Sequence, residues 1–141
     1  MEKTTVTSVA IDIRAFCAKC GITIIERSLC YPVAGSGNDL EDGYHIILNK
    51  WLTEEQKRVT IASILAVCLE LGNRANCLMT ECRDDKLATL ARRLLLPEHL
   101  FKSEFERLAF LGKALRLSAL GVRFNVPLNE ICARIQELEL A

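Results

Sequence analysis

The sequence has no excess of either charge: 18 Lys and Arg balance 18 Asp and Glu over 141 residues. A neutral chain lacks the electrostatic footprint that nucleic acids or anionic membranes attract. No apolar run reaches the roughly 20 residues that span a bilayer, so no membrane partner is expected. The opening stretch, MEKTTVTSVAIDIRAF, is amphipathic and carries acids, unlike a secretory signal, and a cytoplasmic location follows as the expectation. Repeats, low-complexity runs and linker-like segments are missing too. Histidine is scarce, with only His45 and His99. That leaves little material for an imidazole-based metal or catalytic site. His45 is expected on the solvent side of a strand and His99 at a polar helix start.

Half of the residues are apolar. A chain of this length buries roughly 68–70% of its unfolded surface, enough for a single domain over residues 1–141. Cysteine, by contrast, is plentiful, with seven residues. Cys17 and Cys20 form a C-x-x-C, and Cys77 and Cys82 a C-x-x-x-x-C. A four-thiolate zinc site needs such pairs on turns. Cys17 and Cys20 instead continue the apolar stripe of a helix, which makes them small core residues.

Val9, Ile13, Phe16, Cys17 and Cys20 recur at helical spacing, with Gly21 as a C-terminal cap. ITIIERS and YHIILN are short and β-rich, and are expected to pair in a small antiparallel sheet. Between them LCYPVAGSGNDLEDG is expected to be a surface loop, marked by Pro32, Gly35, Gly37 and Gly43. Its glycines are no phosphate cradle, because no Lys-Ser/Thr follows and no helix opens there. Thr53 and Gln56 form a capping box for a helix running to about Leu71, with Gly72 or Asn73 as its end. From Val59 to Leu69 only Thr60 and Ser63 are polar, so this is the central, buried helix. A further helix spans about Asp84 to Leu96 and stops at LLLPEHL, with Pro97 as the breaker or as the first residue of the next turn. Ser103 and Glu106 read as another capping box, heading EFERLAFLGKALRLSALGVRF. A turn at Asn125-Val126 then leads to a last amphipathic helix bearing Leu128, Ile131, Cys132, Ile135 and Leu138. The expected fold class is α+β and helix-dominated. Its C-terminal helical subregion, about residues 103–141, carries a hairpin resembling a helix-turn-helix.

In this order the elements resemble the ImmA/IrrE family of zinc metallopeptidases over roughly Ile11 to Leu140. AFCAKCGITIIE resembles the family's opening helix and strand, and GYHIILNKWLTEEQKRVTIA its Asn-terminated strand and Arg-x-x-Thr-Ile-Ala lead-in. LATLARRLLLP is similar to the family's third helix end, and LSALGVRFNVPLNEICARIQELEL to its C-terminal turn and helix. The resemblance implies a zincin-like core. It also implies H-E-x-x-H directly after the lead-in, two histidines on one helix face for zinc and a Glu to polarise the bound water. Here those positions hold Ser63, Ile64 and Val67, and the third-ligand region holds Asp84 and Asp85. A second register, placing Leu69, Glu70 and Asn73 on the motif, needs a six-residue insertion and also lacks histidines. Neither register offers a zinc site, so no cofactor and no peptidase catalysis are expected. Ser63, a lone hydroxyl on an apolar helix, is expected to bond back to the preceding turn.

Two functional readings follow. The resemblance implies a pseudo-peptidase that binds a protein partner, such as a helix-turn-helix repressor of a phage or mobile element, without cutting it. The alternative is a nucleic-acid-binding regulator using the C-terminal hairpin. Its prospective recognition helix carries Glu130, Glu137 and Glu139 against Arg134, which phosphates would repel. Basic Arg92, Arg93, Arg107, Lys113, Arg116 and Arg123 are scattered among the last helices.

Overall fold

A computed structural model describes residues 9–72, 74–80 and 84–140. These form two compact units, residues 12–95 and residues 9–11 with 96–140. The first holds α1 (Ile13–Lys19), β1 (Ile22–Arg27), β2 (Val33–Leu40), β3 (Gly43–Asn49), α2 (Glu54–Leu71), β4 (Cys77–Thr80) and α3 (Asp85–Leu95). The second holds α4 (Glu98–Arg107), α5 (Lys113–Phe124) and α6 (Leu128–Glu137). The chain is α+β, and among the described residues no helix is long and apolar enough to cross a membrane.

In the first unit, Asp12 caps α1 by accepting the Ala15 N–H at 3.0 Å. The helix ends at Cys20, and Gly21 turns the chain at φ +78°, where an L side chain would be strained. Of the expected apolar stripe Ile13 and Cys17 are buried, whereas Phe16 and Cys20 face outward.

The sheet is mixed, not antiparallel, with strand order β1-β3-β2-β4. β3 pairs parallel with β1 and antiparallel with β2, and β2 pairs antiparallel with β4. The sheet is mixed because the expected surface loop contains β2. That strand reverses the chain at Glu41-Asp42 and returns it as β3 between β1 and β2, so β1 and β3 run the same way. Tyr44, Ile46 and Leu48 alternate along β3 as its fully buried face.

α2 is the helix that the sequence announces. Thr53 and Gln56 close the capping box, and Gly72 ends the helix in the left-handed region at φ 75°. Residues Ile61 to Ala66 are all buried, while Leu69 and Leu71 at its far end are exposed. It packs against β2, β3 and β4 of the sheet and against α3. α3 presents Ala88, Ala91 and Leu95 as its buried positions, and the two alanines allow the helices a close approach.

In the second unit α4 opens after Pro97, so Ser103 and Glu106 lie inside it and no capping box forms there. The single helix expected beyond Ser103 is also broken: residues 108–112 are turn, and Gly112 starts α5. The Phe101 and Phe124 rings pack with centroids 5.5 Å apart, joining α4 to α5. Asn125 takes the left-handed conformation at φ 56°, Val126 is buried, and Pro127 caps α6. On α6 Ile131 is fully buried, but Leu128 and Cys132 are exposed.

Candidate functional site

The middle of α2 lies over two glycines of β2. Gly35 and Gly37 are paired with Leu48 and Ile46 of β3 and are themselves buried. A Cβ on Gly35 would stand 2.7 Å from the Ile47 carbonyl oxygen and 3.0 Å from Thr60 Cγ2. A Cβ on Gly37 would come within 2.9 Å of Ile64 Cγ2, and the Tyr44 hydroxyl would be closer still. Glycine here is what lets the helix and a tyrosine approach the strand.

Ile64 is 0% exposed and Val67 is half-buried. Ser63 is buried, and its hydroxyl donates to the Val59 carbonyl at 2.8 Å, the back-bond its sequence context calls for. Thr60 does the same toward Gln56 at 2.9 Å. The Tyr44 hydroxyl donates to the Ala75 carbonyl at 2.5 Å. Burial first, then contact with the Cys68 and Cys77 thiols, pushes the Tyr44 phenol far above its ordinary range. Burial likewise raises the Cys77 thiol. Burial thus favours the neutral forms of the Tyr44 phenol and the Cys77 thiol, and the phenol ties β3 to the backbone at Ala75.

The donor set does not fit a zinc ion. Positions 63, 64 and 67 bring together one engaged hydroxyl and two hydrocarbons, with no nitrogen, thiolate or carboxylate. Asp84 and Asp85 are exposed at the start of α3, where Asp84 Oδ1 accepts the Leu87 N–H at 2.8 Å as a helix cap. In the alternative register Leu69 is exposed and Glu70 binds Lys86 Nζ at 2.5 Å, while Asn73 lies outside the described residues. Cys82 of the second cysteine pair lies outside them as well. Cys17 is buried, and its thiol is raised to about 11, first by burial and then by Cys20. That opposes the thiolate a metal requires. Among the described residues no three His, Cys, Asp or Glu side chains converge as a metal group.

The histidines lie apart from this centre. His45 lies on the face of β3 opposite the buried Tyr44, Ile46 and Leu48, where its ring meets Asp42 Oδ1 at 3.0 Å and its side chain is 15% exposed. His99 is exposed in the first turn of α4.

In the second unit Arg116, Arg123 and Arg134 are drawn inward, whereas Arg107 and Lys113 are exposed. Arg123 Nε reaches Glu104 Oε1 at 2.5 Å, and Arg107 holds the same carboxylate at 3.2 Å. Arg116 stacks on the Phe105 ring at 3.5 Å and donates to the Phe105 carbonyl. Arg134 is 4% exposed and donates to the Leu96 carbonyl at 2.9 Å. Glu130, read from sequence as a repulsive charge on an outward face, is also buried. The outward positions of α6 are Leu128, Asn129, Cys132, Gln136 and, beyond its end, Glu139. None is basic.

Gly35, Gly37, Tyr44 and Ala75 were not marked as site residues in the sequence. The available signal was the G-x-G spacing, which puts both glycines on one face of a strand. No protein-family model matches the chain, and the comparison with curated proteins found no match. Among solved structures the chain is similar to a "Mycobacterium tuberculosis transcriptional regulator", with a TM-score of 0.58 and 18% identity. The match covers 86% of this chain and 39% of that one. The likeness is one of fold.

Proposed function

We propose that the chain is a non-catalytic binding module in transcriptional control, a pseudo-peptidase that holds a protein partner without cutting it. One observation carries the reading: the helix position where the resembled peptidases keep their catalytic Glu is Ile64, fully buried against Gly37. A helix face filled by packing has no room for substrate or metal-bound water. The fold match to a transcriptional regulator supports the regulatory context, with a repressor-like protein as the partner class. That regulator is much longer than this chain, so whatever else it does stays with it.

The second reading is direct DNA binding through α5 and α6, favoured by that same match and by the short turn at residues 125–127. The surface speaks against it. The arginines of this unit are held by Glu104, Phe105, Leu96 and Glu137, and the exposed face of α6 offers no cation for phosphate. Co-purification from the native cell, run beside a labelled-duplex titration at low salt, separates the readings. A stoichiometric repressor-like protein with no duplex shift is the expected result. A salt-dependent shift with no protein partner would replace the first reading by the second.

A further inference from the structure

In the second unit Lys102, Arg107, Arg123 and Arg134 each hold a carboxylate. Lys113 and Arg116 differ: among the described residues neither has an acidic partner. Both line one cavity of about 360 Å³ between α4, α5 and α6. Its remaining walls are Phe105, Leu111, Leu117, Ile135 and Leu140. The Phe105 ring already carries the Arg116 guanidinium at 3.5 Å, so the wall left for a ligand is chiefly aliphatic. The four aliphatic residues are half-buried and Lys113 is exposed, which opens the cavity to solvent. Its volume falls in the usual range of ligand pockets, roughly 300–1,000 Å³.

The two cations decide the charge of the ligand. Arg116 donates through Nε and Nη2 to the Phe105 carbonyl, a neutral acceptor, at 3.0 and 2.6 Å. Its positive charge stays uncompensated, and Nη1 keeps its N–H donors. Lys113 stands three residues before it on α5, a spacing that puts both on one helix face. The first turn of α5 carries no acid, and Gly112 before it brings no side-chain cap. Two uncompensated cations on an aliphatic cavity are complementary to an anion with a hydrocarbon tail, and a cation is not.

We infer that this cavity binds a single-chain aliphatic anion, its tail among Leu117, Ile135 and Leu140 and its head between Lys113 and Arg116. An apolar cavity of ~150 Å³ takes benzene, so by proportion this one takes about fourteen non-hydrogen atoms, close to a ten-carbon acid. The site uses neither Ile64 nor Val67, so it stands or falls separately from the function proposed above.

The test is amide NMR on the full chain at neutral pH, titrated with decanoate, decanol and decylammonium below the concentrations at which they aggregate. Saturable decanoate shifts are expected, centred on Leu117, Ile135 and Leu140. Decylammonium should bind about tenfold more weakly, the worth of two exposed charge pairs. Lys113→Glu puts an acid in a first turn, where the helix dipole tolerates it. In that variant decanol should bind as before, and decanoate should lose its lead over decylammonium. Leu111→Trp, in the turn before α5, should fill the cavity and weaken decanoate and decanol alike. Shifts that never saturate, or that centre outside the second unit, would overturn the site. A lead of decanoate over decylammonium that survives Lys113→Glu undiminished would overturn the assigned ligand class.

Discussion

Ile64 and Gly37 form a pair in which each accounts for the other. The Ile64 side chain occupies the space above the strand, and a Cβ at position 37 would stand only 2.9 Å from its Cγ2. A helix position that the family resemblance assigns to proton transfer is here one half of a packing contact. The other half is a strand the sequence disguises as a loop.

Truncating that contact should be expensive. Ile64→Ala is expected to destabilise the chain by about 2–5 kcal/mol, the usual range for a fully buried aliphatic residue. Val67→Ala, at a half-buried position, should cost clearly less. Denaturant unfolding of both variants measures the difference, and equal small losses would mean that Ile64 borders an open cleft.

Filling the glycine from the other side should hurt as well. Gly37→Ala drives a methyl into the Tyr44 hydroxyl and toward Ile64, an overpacking expected to cost about 1–3 kcal/mol or more. Tyr44→Phe removes the obstructing oxygen and leaves the Ala75 carbonyl without that donor. A double-mutant cycle should therefore show Gly37→Ala costing less in the Tyr44→Phe background. Strict additivity would show that the two do not meet.

The Glu104 cluster gives the second unit an acid limit. Burial alone would raise this carboxyl, but hydrogen bonds from Arg107 and Arg123 outweigh it and hold the pKa below its ordinary value. A group depressed in the folded state stabilises above its unfolded pKa, about 4.3 for glutamate, and loses that contribution as pH falls through the folded value. Stability of the native chain should thus fall below about pH 4.3. Glu104→Gln should be less stable at neutral pH and show a shallower acid slope. An unchanged slope would mean that the ion pairs contribute nothing.

How far the sequence revealed all this depended on how local each signal was. The α2 helix was legible from end to end, because Thr53, Gln56 and Gly72 act within a turn of their own backbone. The β2 strand was not, since Gly35 and Gly37 carry no side chain to alternate. The partners that require glycine there, Thr60, Ile64 and Tyr44, come from other elements. The Ser103 and Glu106 signature misled because a better start, Pro97, had already opened the helix. That positions 63, 64 and 67 carry no zinc-ligating residue types was readable directly. How they pack was readable only once α2 lay on the sheet. The inward turn of Arg116, Arg123 and Arg134 was hidden for the same reason, because Phe105, Glu104 and Leu96 lie on another stretch of chain.

Introducing H-E-x-x-H into α2 should fail on stability before it succeeds on metal. Ser63→His, Ile64→Glu and Val67→His together would place H-E-x-x-H on one helical face, since residues four apart are neighbours there. They would also push a charge into space filled by hydrocarbon. The triple variant is expected to be markedly destabilised. Its zinc binding should be weak and lessened further by Asp84→Ala with Asp85→Ala. A fully stable variant would show that these positions face no shared packed centre.

The central claim is that residues 63, 64 and 67 pack and do not bind metal, and calorimetric zinc titration of the untagged natural chain tests it most directly. The expected result is no stoichiometric binding, both in the natural chain and after Cys17→Ser with Cys77→Ser. One zinc per chain that survives the cysteine changes and disappears in Ser63→Ala would contradict it.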